Sequence, residues 1–327
     1  MADAIYLRDD CKNLLTVAAA VAAGEVWQLP SGKAGVYTGQ NAAAINDIAN
    51  FSTEGKYTFT KTSGFVAIRG GRAYWDHSAN AVTFKKVNDR DYYLGRFVDD
   101  ATSAATTCVV DLNIDPPYDI DMLRDGVLSV PTGTQAAGTT GFGLPQVYGN
   151  SRALLLTATN EAQCIDYFSV DRFALSANPV AEFILRVAAN GSTSAVDFSV
   201  GLANATNTTD ADTIAESVFF HIDGGDTSIF CESDDGTTEV PATDSTKDIT
   251  AGSAVANRVE LWIDGRDPSD MKYYVDGVEV LNATANLGNI AVATGPLGLL
   301  IHLEKTTGTA TAGPIYIDAA RCRFMEQ

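Results

Sequence analysis

A chain of 327 residues is about twice the size of an ordinary domain, so two domains are expected. Hydrophobic residues make up 46% and charged residues only 19%, which supplies packed cores and excludes a disordered chain. The 41 Asp and Glu against 22 Lys and Arg give a formal net charge of -19, which opposes the counterion release behind nucleic-acid binding and the attraction to anionic membranes. No nucleic-acid or membrane partner is therefore expected. The acid excess is uneven: residues 1–118 hold 11 basic and 13 acidic side chains, and residues 156–327 hold 9 and 25. Two domains facing different surroundings would carry such a split.

Residues 1–12 read as an N-terminal arm. The run LLTVAAAVAAG (14–24) is short, mostly alanine and preceded by Asp3, Asp9 and Asp10, so no signal peptide is expected. No apolar run approaches the roughly 18 to 20 residues needed to span a bilayer. A soluble protein made in the cytoplasm of its producing cell is the expectation. From residue 24 onward hydrophobicity alternates with period 2 and turn residues recur at roughly ten-residue intervals. Strands are predicted at GEVWQL (24–29), GKAGVYTG (32–39), KYTFTKT (56–62), RAYWD (72–76), AVTFKKV (81–87), YYLGRFV (92–98) and TTCVVDLNI (106–114), with a short helix at AAAINDIANF (42–51). These compose a small β domain over 13–118. Residues 119–155 are rich in Pro and Gly and read as an extended connector.

Across 156–327 longer strands are predicted at AEFILRVA (181–188), AVDFSVGLA (195–203), SVFFHID (217–223), SIFCES (228–233), RVELWID (258–264), KYYVDGVEV (272–280), LGLLIHLEK (297–305) and IYIDAARCRF (315–324). In RVELWID, Val259, Leu261 and Ile263 share one face, and Glu260, Trp262 and Asp264 the other. Asp276 and Gly277 form the tip of a two-residue hairpin. Such a set implies two stacked antiparallel sheets, a jelly-roll β-sandwich. The predicted fold is thus mainly β, a barrel-like N-terminal domain followed by an antiparallel sandwich.

The chemistry-bearing residues point away from catalysis. Cys11, Cys108, Cys164, Cys231 and Cys322 include no CxxC pair, so neither a disulfide framework nor a cysteine zinc site is expected, and Cys108 and Cys322 read as buried thiols. No GxSxG elbow, P-loop or Rossmann fingerprint occurs. His77 falls in a turn, while His221 and His302 fall in alternating strands and read as hydrogen-bonded strand residues. Glu260 and Asp264 share a strand face without the paired carboxylate that glycoside hydrolysis requires. No cofactor is implied, although the acidic turns HIDGGD and ESDDGTTE offer clustered oxygens; Asp223, Asp226, Asp234 and Asp235 are the calcium candidates. Trp262 and Tyr274 are the candidates for stacking on a glycan.

Gly24-Glu25-Val26, then Gly71, Tyr74, Trp75 and Asp76, then Leu94, Gly95, Asp99, Asp100 and Ala101 follow one another in an order and spacing that resembles the head-decoration, or capsid-cement, proteins of tailed bacteriophages. The resemblance covers about residues 12 to 115 and implies a compact β domain on the outer face of a phage head, in contact with the major capsid protein and often trimeric. Trp27, Tyr74 and Trp75 are the capsid-contact candidates it suggests. The later strands AVDFSVGLA, NRVELWIDG, KYYVDGVEV and YIDAARCRF resemble a concanavalin/laminin-G-like jelly roll, a fold shared by lectins, enzymes and spacers. A virion decoration protein with an acidic jelly roll projecting outward is the expectation, the other reading being a lectin-like adhesion protein that binds host-surface glycans.

Overall fold

The computed structural model describes residues 12–128, 146–148, 151–156, 162–190, 196–207, 209–306 and 312–325. The chain divides into two units, Met1–Pro117 and Tyr118–Gln327. Of the arm expected over 1–12, only Lys12 lies within the described residues.

In the first unit, β1 (Lys12–Thr16), β2 (Val26–Gln28), β3 (Ala34–Tyr37) and β4 (Ile48–Ser52) form an antiparallel sheet in the order β1-β4-β3-β2. The helix predicted over 42–51 is not formed. Asn46 turns the chain at φ 70°, and Ala49 and Phe51 then point into the core at 0% exposure while β1 and β3 pair with either edge. Burying Phe51 against Val17, Leu29 and Tyr37 outweighs the helix propensity of the alanines. The second sheet takes β5 (Lys56–Thr60), β6 (Arg72–Asp76), β7 (Ala81–Thr83), β8 (Tyr92–Phe97) and β9 (Thr107–Leu112) in the order β5-β9-β8-β6-β7. A parallel bridge between Lys61 and Val82 joins its two outer strands, so five strands close into a small barrel around Phe59, Val82, Leu94, Phe97, Val110 and Leu112. Gly95 is required there: its φ is +153°, and a Cβ would stand 2.0 Å from the Asp111 carbonyl oxygen on β9.

Asn113, at φ 55°, locks the barrel to the smaller sheet. Its Nδ2 donates to the carbonyls of Ala34 (2.9 Å) and Thr53 (2.7 Å), and its Oδ1 accepts from the Ala34 amide (2.9 Å).

The second unit contains β10 (Ile120–Asp121), α1 (Met122–Asp125), β11 (Gly126–Leu128), β12 (Gln146–Tyr148), β13 (Ser151–Leu156), β14 (Gln163–Ser169), β15 (Pro179–Val187) and β16 (Val196–Ala203). After these come β17 (Glu216–Asp223), β18 (Ser228–Asp235), β19 (Glu239–Asp248), β20 (Val259–Asp264), β21 (Lys272–Val275), β22 (Val278–Val280), β23 (Gly298–Lys305) and β24 (Ala312–Phe324). One sheet runs β12-β13-β24-β15-β20-β21-β22, with β10 also paired to β24; the other runs β11-β14-β23-β16-β17-β18-β19. Their facing sides enclose a continuous apolar layer that includes Leu154, Ile165, Phe183, Phe198, Phe220, Leu261, Ile301 and Ile317. Asp276 and Gly277 adopt φ 49° and 74°, the paired left-handed geometry of the predicted hairpin tip.

The connector expected over 119–155 is corrected at both ends. Ile120, Met122 and Leu154 are buried in the sandwich core, Asp121 caps α1 through Oδ1 to the Leu123 amide (3.2 Å), and the strands flanking 129–145 belong to the two sheets. Strand β24 also carries Asp318, whose carboxylate accepts from Arg186 Nη2 (2.7 Å), Arg258 Nε (2.6 Å) and Ser151 Oγ (2.5 Å). Cys108, Cys164, Cys231 and Cys322 are free, buried thiols, and burial pushes Cys108 up to about 12. Such thiols stay protonated and inert. Cys11 lies outside the described residues.

Replacing Asn113 with Ala is expected to cost about 2 to 3 kcal/mol, from three lost hydrogen bonds and a left-handed backbone without its favoured residue. Urea unfolding measures the loss, and hydrogen exchange should show the Ala34 amide unprotected.

Asp318 yields a second prediction. Burial alone would raise its carboxyl, but hydrogen bonds from Arg186, Ser151 and Arg258 more than offset that and hold it below the ordinary range. A lowered folded pKa contributes stability that is present above the unfolded value, about pH 4, and is lost as pH falls through the folded one. The melting-temperature gap between wild type and Asp318→Asn should therefore shrink below about pH 4; a gap constant with pH would show that the charge contributes nothing.

Candidate functional site

Two regions gather functional side chains. In the first unit a groove of about 950 Å³ has Glu25 and Trp27 on one wall and Trp75, His77, Arg90 and Tyr92 on the other. Glu25 shapes it: Oε2 accepts from the Ala22 amide (2.7 Å), closing the turn before β2, and Oε1 accepts from Trp27 Nε1 (2.9 Å). The Trp27 ring leans on Phe51 with centroids 5.7 Å apart, and Trp75 meets Phe59 edge-on at 6.3 Å. Trp75 is only 8% exposed. Tyr74, on the other face of β6, packs edge-on against Tyr93. Of the three capsid-contact candidates, Trp27 and Trp75 line the groove, and half-buried Tyr74 lies on the other face of β6. The aspartates of the same motifs hold turns: Asp76 Oδ1 accepts from the Ser78 and Ala79 amides, and Asp100 Oδ1 from the Arg69 amide.

The second region is the outer face of the seven-stranded sheet. Register places Asp166, His302, Ser199 and His221 side by side across β14, β23, β16 and β17, with Cys164, Glu304, Asp197 and Asp223 in the next row. The segment between β16 and β17 folds over this face, because Ala211 and Ile214 bury against Phe168, Ala203, Phe219 and Leu300. Asp210 caps its single 3-10 turn, Ala211–Thr213, and that turn sets Asp212 beside His221.

The two histidines have different surroundings. His302 is fully buried and closes two short contacts, Nδ1 to Asp166 Oδ1 at 2.8 Å and Nε2 to Glu304 Oε2 at 3.1 Å. Burial alone would lower its pKa, and the adjoining Asp166, Cys164 and Glu304 reverse that and hold it well above the ordinary value. His221 is ringed by four carboxylates at longer range: Asp223 and Asp197 stand 3.3 and 3.4 Å from Nε2, and Asp212 and Glu232 each 3.6 Å from Nδ1. Burial pushes Asp197 up to about 7 despite His221, and also raises Glu232.

The other predicted site residues are placed as follows. Asp226, Asp234 and Asp235 spend carboxylate oxygens on the amides of their own turns, those of Ser228, Gly236 and Thr238. Of the calcium candidates, Asp223 stands against His221, and Asp234 lines the small cavity beside Asp212 and Glu232. Trp262 and Tyr274 pair in register on neighbouring strands with ring centroids 6.1 Å apart, and at 9% and 4% exposure neither offers an open ring face to a sugar. Asp197, Asp212 and Glu304 were not singled out from sequence, and Glu232 entered only within the acidic turn ESDDGTTE; for the strand residues the signal was the polar member recurring in VDFSV, HID, CES and IHLE.

Residues 10–112 match the profile of the phage cement protein family, about a third of the chain and nearly all of the first unit. No curated protein matches the sequence. Solved structures similar to this chain include the Emp47p carbohydrate recognition domain, at 9% identity over 62% of this chain and 89% of that one with a TM-score of 0.41. A glycoside hydrolase family 16 endo-glucanase from Bacteroides ovatus gives 11% identity over 61% and 95%, with a TM-score of 0.38. Apo Crh5 transglycosylase gives 15% over 64% and 88%, with a TM-score of 0.37. These likenesses concern the sheet architecture and carry no argument about activity.

Proposed function

We propose that the protein is a structural component of a bacteriophage particle, its first unit seated on the outer surface of the head and its acidic sandwich turned to solvent. The observation that carries this reading is the cement-family match over residues 10–112, which falls on the unit with balanced charge. Decoration needs no chemistry, only surface burial that favours the assembled shell over its separated subunits. The major capsid protein is the partner, and a trimer matched to a local threefold axis is the form that the lattice would select.

The outer face of the four-stranded sheet is the surface best suited to the shell. Leu14 and Ile48, on paired strands β1 and β4, are each 70% exposed, and Ile45 in the preceding turn is 60% exposed. An apolar patch left open this way marks a contact face. The acid-rich residues 156–327 would repel neighbouring particles over about 8 Å at physiological salt. No observation favours the glycan-binding reading, since the rings it would use are buried.

Mixing the full chain with undecorated heads should give co-sedimentation and a rise in the melting temperature of the head. Leu14→Asp combined with Ile48→Asp should weaken that binding at least tenfold while leaving the chain's own melting little changed, because both side chains face solvent. Failure of the wild-type chain to co-sediment would overturn the reading.

A further inference from the structure

We propose that the outer face of the seven-stranded sheet holds one divalent first-row transition ion, of the Zn²⁺ or Mn²⁺ kind, between His221 Nδ1, Asp212 Oδ1 and Glu232 Oε1. Both oxygens stand 3.6 Å from Nδ1. Two ligands bonded at about 2.1 Å to one tetrahedral ion lie about 3.4 Å apart, so these two spacings are near those of shared ligands and longer than good hydrogen bonds. The contrast with His302 is direct, since that ring closes both its contacts at 2.8 and 3.1 Å.

The far nitrogen explains the orientation. Nε2 faces Asp223 at 3.3 Å and Asp197 at 3.4 Å, the carboxylate backing that fixes a metal-bound imidazole and leaves its other nitrogen as the ligand. Nδ1, so aimed, meets two further acceptors. An ion among the three would take the place of the proton that His221 otherwise shares with these two carboxylates.

Unsatisfied groups converge on the same place. His221 Nδ1 and Glu232 Oε1 are both buried without a hydrogen-bond partner, on residues that are 4% and 7% exposed. Buried polar atoms are rarely left so. A cavity of about 10 Å³, lined by Asp212 and Glu232 with Ser217 and Ser233, adjoins them. That space admits an ion or a single water and no organic ligand. An imidazole nitrogen among carboxylates suits Zn²⁺ or Mn²⁺ better than the all-oxygen shells of Ca²⁺ and Mg²⁺.

The full chain, stripped with EDTA and dialysed free of chelator at about pH 7, is titrated separately with Zn²⁺, Mn²⁺, Ca²⁺ and Mg²⁺ by calorimetry, and its melting is followed. The expected result is one Zn²⁺ or Mn²⁺ per chain, with a melting temperature that rises with ion concentration. His221→Gln and Asp212→Asn should each weaken binding at least tenfold, and Asp267→Asn, in a separate exposed turn, should not. The Asp212 side chain is 42% exposed on its turn, so that variant reports on binding even if His221→Gln fails to fold. Absence of heat and of any melting shift with all four ions, wild-type affinity in Asp212→Asn, or preference for Ca²⁺ or Mg²⁺ would each overturn the assignment.

Discussion

The apolar layer between the two sheets of the sandwich, running from Leu154 and Ile165 through Phe183, Phe198 and Phe220 to Ile317, takes alternate side chains from the strands that border it. Each large side chain buried there contributes about 1.5 to 3 kcal/mol, so strand register is fixed by this interior and not by what lies outside it. The residues between must then point away. On β14, β16, β17 and β23 those residues are Cys164, Asp166, Asp197, Ser199, His221, Asp223, His302 and Glu304, and the register that satisfies the core also aligns them in rows. The polar face is a consequence of the apolar one. Its burial comes from a second, smaller apolar contact, in which Ala211 and Ile214 draw the β16–β17 segment down onto the sheet.

In the first unit a comparable constraint acts through backbone geometry. The five-stranded barrel is small, its strands approach closely, and Gly95 is the point where β8 and β9 leave no room for a Cβ. Asn113 supplies with one side chain what two sheets of this size cannot supply through area alone. Gly95, Asp76 and Asp100, among the residues on which the resemblance to the cement proteins rests, each meet a local demand of the backbone.

Much of this was legible in the sequence because alternation is a local signal. The hairpin at Asp276-Gly277 and the core row Val259, Leu261 and Ile263 could be read within a few residues. What escaped was set by tertiary context. Alanines before β4 carry helix propensity, yet pairing on both edges makes the segment that follows a strand. Ile120, Met122 and Leu154 are too sparse within a Pro/Gly-rich stretch to announce that they complete the sandwich core. The His221 cluster draws on β16, β17, β18 and a 3-10 turn, so no spacing motif records it; a search for Cys and His pairs along the chain overlooks ligands that only the register unites.

Among the described residues, strand β19 is the last of the seven-stranded sheet, and its residues Glu239 to Asp248 are mostly exposed. An open edge offers unpaired amides and carbonyls to any strand that approaches. Pro241 withholds one amide, Thr246 departs from extended geometry at φ 60°, and the ladder to β18 slips twice, between Ile229 and Phe230 and between Cys231 and Ser233. The acidic side chains Glu239, Asp244 and Asp248 repel an identical edge. Copies crowded side by side can therefore remain separate molecules, since this margin resists the sheet-to-sheet fusion by which dense arrays of β proteins aggregate.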